Sequence, residues 1–186
     1  MDNETLARQI DTVSRLAGPF RLRSGAESDE YFDKYQFESD PKLLTAIADA
    51  LAELVPPGIE ALAGLELGGV PVATALSIRT GLPVVFVRKQ AKTYGTRRLA
   101  EGWDISGRRL LVVEDVVTSG GQVLASSHDL RRSGAIVEDV VCVIDRQAGG
   151  AETLAAAGLK LRPLLTKKDL DHERRPSNKA GTPIRS

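Results

Sequence analysis

The stretch LLVVEDVVTSGG, residues 110–121, decides the fold. Leu110, Leu111, Val112 and Val113 form an unbroken apolar run, as expected of a strand covered on both faces of a parallel sheet. Glu114 and Asp115 follow at its carboxyl end, the edge at which open α/β sheets bind ligands. Val116 and Val117 lead into Thr118, Ser119, Gly120 and Gly121, a small turn before a helical pattern that begins at about Gln122. Backbone N–H groups at such a helix start attract phosphate through unpaired donors and the helix dipole. Acids and phosphate donors this close together suit a sugar phosphate, with its hydroxyls on the carboxylates and its phosphate in the turn. No Gly-Lys-Ser/Thr follows, as a Walker loop requires, and the GxGxxG of a dinucleotide site is missing.

Outward from that stretch, strands and helices alternate. Residues 61–67 read as a short buried strand, and Gly68-Gly69 opens a helix through Val72, Leu76 and Ile78. Residues 84–87 form the next strand. The helix after Gly121 uses Val123, Leu124, Ser127 and Leu130, and residues 139–144 form another strand. A small-residue helix follows at 151–157, then a last strand at 161–165. Helices of this length between strands imply right-handed crossovers and a mostly parallel central sheet flanked by helices.

The amino-terminal part falls outside that scheme. Leu6, Ile10, Val13 and Leu16 have helical spacing, with Asn3 as cap and Gly18-Pro19 as stop. Residues 20–25, FRLRSG, alternate like a strand, and a polar turn leads to Tyr31-Phe32-Asp33. Asp40-Pro41 is a cap with proline at the first helical position, ahead of an amphipathic helix through Leu43, Leu44, Ile47, Leu51 and Leu54. Residues 1–172 are expected to form one domain, with a small hood subdomain from about 1–40 plus part of the carboxyl-terminal region. Residues 173–186 are basic and rich in Pro, Ser, Asn and Gly, the composition of a disordered tail.

Lys plus Arg and Asp plus Glu both count 25, so formal net charge is zero and bulk charge gives no reason to invoke nucleic acid or an anionic membrane. No apolar run approaches a membrane span, and the start MDNETLARQID is not signal-like, so a cytoplasmic protein is expected. Cys142, the only cysteine, lies in an apolar run and reads as core. His128 and His172 read as surface residues, and Trp103 as packing near the basic segment.

Two further segments carry chemistry. Residues 88–98, RKQAKTYGTRR, hold five cations and lack an apolar period. They are either a solvated loop or a lid, since they leave a strand at the same edge as the acidic motif. Val143-Ile144-Asp145-Arg146-Gln147 ends another strand. Arg146 either makes a two-pronged contact with a planar carboxylate or pairs locally with Asp145.

Together with the amino-terminal segment 20–37, these motifs resemble the orotate phosphoribosyltransferases, of the type I phosphoribosyltransferases, over most of the chain. The resemblance implies a pentosyltransferase that moves ribose 5-phosphate from phosphoribosyl pyrophosphate (PRPP) to orotate, in UMP synthesis. It implies Mg²⁺ held by PRPP and water without a dedicated protein ligand, and a homodimer whose lids are shared across subunits. PRPP would be held by Arg23, Arg88, Lys89, Lys92, Tyr94, Glu114, Asp115, Val116, Val117, Thr118, Ser119, Gly120, Gly121 and Gln122. Leu67, Gly68 and Gly69 would form the pyrophosphate turn, and Thr118, Arg146, Tyr31 and Phe32 would hold orotate. Lys92, Glu114 and Asp115 would be catalytic. The chain departs from common family patterns at Arg23 (often lysine), Tyr94 (histidine in several members), Ser119 (commonly threonine) and the uncharged turn 67–69. The alternatives are a phosphoribosyltransferase for another base and a non-catalytic PRPP sensor.

Overall fold

Asp2, not Asn3, caps the first helix. Its carboxylate accepts the Thr5 N–H at 2.8 Å and starts α1 (Asn3–Ser14), whose Leu6, Ala7 and Ile10 are buried. The computed structural model describes residues 1–21, 25–89 and 99–172. The expected helix end at Leu16 is too late: the chain enters strand β1 (Arg15–Arg21) directly, and Gly18-Pro19 sits at a register shift inside that strand. Proline cannot donate to a ladder, so it produces an irregularity there instead of stopping a helix. The polar segment expected as a turn is strand β2 (Glu27–Phe32), antiparallel to β1. Its alternation of exposed and half-buried residues was hidden because one face of the hairpin is wet. Phe20 and Tyr31 pack across it with ring centroids 5.5 Å apart.

Helix α2 (Tyr35–Ser39) was not anticipated. One turn of helix is marginal by itself; fully buried Phe37 anchors it, contributing roughly 2–3 kcal/mol by apolar burial. Asp40 then caps α3 (Pro41–Ala52), accepting from the N–H groups of Lys42 and Leu43 at 2.8 and 3.1 Å.

The remaining elements are β3 (Ala61–Leu65), α4 (Gly69–Thr80), β4 (Val84–Val87), β5 (Ala100–Gly102), β6 (Arg109–Val117), α5 (Gly121–Arg132), β7 (Ile136–Asp145), α6 (Gly150–Ala156), β8 (Lys160–Thr166) and α7 (Lys167–His172). One six-stranded sheet has the order β5-β4-β3-β6-β7-β8, parallel throughout except for the β4–β5 edge pair. Strand β5 follows the basic segment 88–98, where the sequence pattern places no strand. Ile78, expected to face inward with Val72 and Leu76, is 83% exposed, because two residues of helix turn it to the opposite side.

The sheet is covered on both faces. Leu6, Ile10, Phe37, Ile47, Leu51 and Leu76 pack with Leu111 and Val113 on one side. Val123, Leu130 and Leu154 pack with Leu110, Val112 and Cys142 on the other. Cys142 is buried and unpaired, and His128 is exposed. No helix among the described residues is long and apolar enough to cross a membrane. From β3 the chain winds outward through β4; from β6 it winds the other way through β7 and β8. The switch point therefore falls between β3 and β6, and the crevice at their carboxyl ends is where such sheets bind ligands.

Candidate active site

Strand β6 continues four residues beyond its apolar run, so Glu114 and Asp115 sit inside the ladder. Both are buried and curl back on their own backbone. Glu114 Oε1 accepts the Asp115 N–H at 3.1 Å, and Asp115 Oδ1 accepts the Val116 N–H at 2.6 Å. The Lys34 ammonium rests on Asp115 Oδ2. Burial, then the neighbouring Asp115, pushes the Glu114 carboxyl well above the usual carboxylate range. Burial presses Asp115 the same way, but hydrogen bonds from Glu114, Glu38 and Lys34 outweigh it and hold Asp115 below its ordinary value. The pair is thus held with Asp115 toward its anionic form and Glu114 toward its neutral one.

Beyond Val117 the chain turns into α5 through Thr118, Ser119 and Gly120. Gly120 has φ +78°, and a Cβ there would stand 3.2 Å from the Gly150 carbonyl, so both conformation and space call for glycine. This turn lines a cavity of about 330 Å³ with Glu114, Val116, Gly121, Gln122 and Val123. The backbone N–H groups of α5's first turn border it, an electropositive rim suited to a phosphate.

A second cavity, about 380 Å³, lies beside it. Tyr31, Phe32, Thr118 and Arg146, the four residues expected to hold the base, all line it, together with Arg15, Ser28, Glu30, Lys34 and Val116. Val116 and Thr118 border both cavities. Arg146 is not spent on Asp145: its guanidinium lies over the Phe32 ring at 5.5 Å, while Asp145 Oδ1 accepts the Gln147 N–H at 2.8 Å. The hairpin and the end of β7 therefore meet through a cation–π contact.

The turn Leu67-Gly68-Gly69 crosses the top of β6. A Cβ on Gly68 would overlap the Asp115 carboxylate, and one on Gly69 would overlap the Val113 carbonyl. Two glycines let the turn lie on the strand. Glu66, just before it, accepts the Lys89 N–H at 2.9 Å, and Arg88 N–H donates to Leu99 O at 2.9 Å. Arg88 and Lys89 thus leave the sheet beside this turn. Arg23, Lys92 and Tyr94 lie outside the described residues.

Sequence reasoning missed Lys34 and Glu38. Glu38 is 7% exposed, and burial beside Asp115 pushes its carboxyl up to about 9. The only local signal was their spacing around Phe37; their partner belongs to a strand far along the chain.

A sheet with this switch point, an acidic strand end, a glycine-bearing phosphate turn and a second glycine turn laid across it defines a type I phosphoribosyltransferase. The phosphoribosyl transferase domain family matches residues 35–157. Orotate phosphoribosyltransferase of Nocardioides sp. is 54% identical over 170 residues, covering 91% of this chain and 95% of that protein. The crystal structure of Mycobacterium tuberculosis orotate phosphoribosyltransferase in complex with Fe(III) dicitrate superposes with a TM-score of 0.83 at 36% identity, covering 91% of this chain and 99% of that one. The same enzyme in complex with PRPP gives 0.79 at 33% identity, with 92% and 99% covered. The chain belongs to the orotate phosphoribosyltransferase family.

Proposed function

We propose that the protein transfers ribose 5-phosphate from PRPP to N1 of orotate, giving orotidine 5′-monophosphate and pyrophosphate in UMP synthesis. One observation carries this reading: the cavity at the start of α5 and the arginine-bearing cavity share Val116 and Thr118, so a ribose spanning them would present C1 to a ring held beside Arg146. Breaking the bond between C1 and the pyrophosphate builds positive charge on the ribose and negative charge on the leaving group. The chain stabilises both and supplies no nucleophile.

In this proposal the turn 118–121 takes the 5′-phosphate, and Val117 and Gln122 border it. Glu114, which lines the phosphate cavity, would hold the ribose hydroxyls; Asp115, expected to share that role, is fully buried beneath the turn 67–69 and lines neither cavity, so it would favour the developing cation through its charge. Leu67, Gly68 and Gly69 carry the diphosphate, with Arg88 and Lys89 beside it. Lys92, Tyr94 and Arg23 complete the cation set as the resemblance implies. Tyr31, Phe32, Thr118 and Arg146 hold the orotate ring and its carboxylate.

The donor set fits Mg²⁺ borne by the substrate. Glu114 is the one acid lining the phosphate cavity, so a cation there would take its other ligands from substrate oxygens and water. When bound, Mg²⁺ would neutralise diphosphate charge. A homodimer with lids shared across subunits, and a cytoplasmic location consistent with a buried free thiol, belong to the same proposal.

The test is a panel of orotate, uracil and purine bases with PRPP and Mg²⁺, followed by pyrophosphate release. Orotate should be turned over fastest. A purine active with orotate silent overturns the assignment.

A further inference from the structure

Lys34 and Glu38 are one helical turn apart, the spacing that puts two side chains on one side of a helix. With Phe37 locking that turn into the core, both side chains reach Asp115 from fixed positions. The Lys34 ammonium sits on Asp115 Oδ2, and it also lines the base cavity with Phe32 and Arg146. Asp115 Oδ2 and Glu38 Oε1 flank the single point where a Cβ on Gly68 would stand, so the pyrophosphate turn rests directly on them.

Written as two carboxylates, Glu38 Oε1 has no hydrogen-bond partner and Asp115 Oδ2 has only the ammonium. A proton on Glu38 makes it a donor to Asp115 and satisfies both oxygens. Burial and Asp115 raise Glu38 to about 9, so that proton is in place at neutral pH. Left alone, a buried Asp115 would be expensive as an anion. With one ammonium and one carboxyl donor against it, it keeps both its charge and its direction.

Resting on the transfer reaction proposed above, we propose that Lys34 and Glu38 are positioning residues: they hold Asp115 in one orientation beneath the pyrophosphate turn, and Lys34 ties that orientation to the base cavity. The charged groups around Glu38 are Asp115 and, behind it, Glu114 from β6, with Lys34 and Asp33 from the segment leading into α2. Above about pH 9, Glu38 carries a second negative charge against Asp115, and one ammonium no longer balances the cluster. Asp115 then loses its direction and transfer slows.

The experiment uses full-length protein with Lys34→Met, Lys34→Arg and Glu38→Gln. It measures kcat and the separate KM values for PRPP and orotate across pH, and follows the Glu38 carboxyl by carbon-13 NMR in the parent. Lys34→Met should lower kcat roughly tenfold to a hundredfold, as small misplacements near a reacting centre do, with a smaller change in either KM. Lys34→Arg should recover part of that loss. Glu38→Gln, which keeps a donor but cannot titrate, should lose the parent's alkaline fall in kcat/KM. A Lys34→Met kcat within about twofold of the parent, or an alkaline limb unchanged in Glu38→Gln, overturns the proposal. If the variants do not fold, the NMR titration decides: a Glu38 midpoint in the ordinary carboxylate range overturns it, and a midpoint near 9 supports it. A parent silent with PRPP and orotate sinks the transfer reading instead, and the titration still tests the cluster.

Discussion

The carboxylate of Glu66 accepts the backbone N–H of Lys89 at 2.9 Å, joining the start of the turn 67–69 to the first residues of the basic segment. The ends of two neighbouring strands, already joined by the Glu66 N–H to Val87 carbonyl bond at 2.8 Å, are thus tied once more through a side chain. Glu66→Ala should cost the fold about 1 kcal/mol or less, yet raise the KM for PRPP more than that for orotate. Steady-state kinetics with each substrate varied in turn checks the asymmetry. Equal effects on both would show that the bond does not serve the diphosphate end.

Gly68 has an ordinary helical backbone, φ −66°, so its requirement for glycine is purely one of space. A methyl there meets Asp115 and Glu38. Gly68→Ala should destabilise the protein by roughly 1–3 kcal/mol, the usual cost of overpacking, and should abolish PRPP binding. Chemical denaturation and calorimetry with PRPP measure the two effects; full-strength binding in this variant would count against the turn as diphosphate site.

The Arg146 guanidinium lies over the Phe32 ring, 5.5 Å from its centroid. Lysine keeps the charge but neither the planar fork nor the stacking. Arg146→Lys should therefore raise the orotate KM about tenfold or more, in line with about 1.4 kcal/mol or more of lost binding, and leave PRPP affinity in place. Isothermal titration with PRPP and initial rates with orotate separate the outcomes. A PRPP defect as large as the orotate defect would move Arg146 out of the base site.

Glu38 also makes stability depend on pH. Its folded value, raised by burial and Asp115 to about 9, lies above the ordinary 4.5 of the unfolded chain. The folded state then binds the proton more tightly, so the Glu38 contribution to stability is full below 4.5 and is lost as pH climbs toward 9. Glu114, also raised, acts in the same direction. Urea midpoints between neutrality and pH 9 should fall with pH in the parent and fall less steeply in Glu38→Gln. Identical slopes would show that Glu38 is ionised in the folded protein.

Much of this was legible in the sequence because it is local. The apolar run 110–113 with its two acids and glycine turn announces a buried strand and the start of a helix behind a tight turn without help from the rest of the chain. What escaped detection depends on partners distant in sequence. Strand β2 is polar because one face of its hairpin is solvated, so its composition mimics a turn. Strand β5 is three residues long and exists because β4 offers an edge. Lys34 and Glu38 look like surface charges until β6 closes over them. At the amino terminus, Asp2 and Asn3 are equally good caps, and only the bond to Thr5 distinguishes them.

The Arg88 N–H to Leu99 carbonyl bond is a rung between β4 and the turn into β5. The chain that leaves the sheet at 88 rejoins it at 99, and these two ends are held together at the sheet's margin. The edge of the sheet is thus closed by its own rung, with β3 standing between that closure and the strand that carries Glu114 and Asp115.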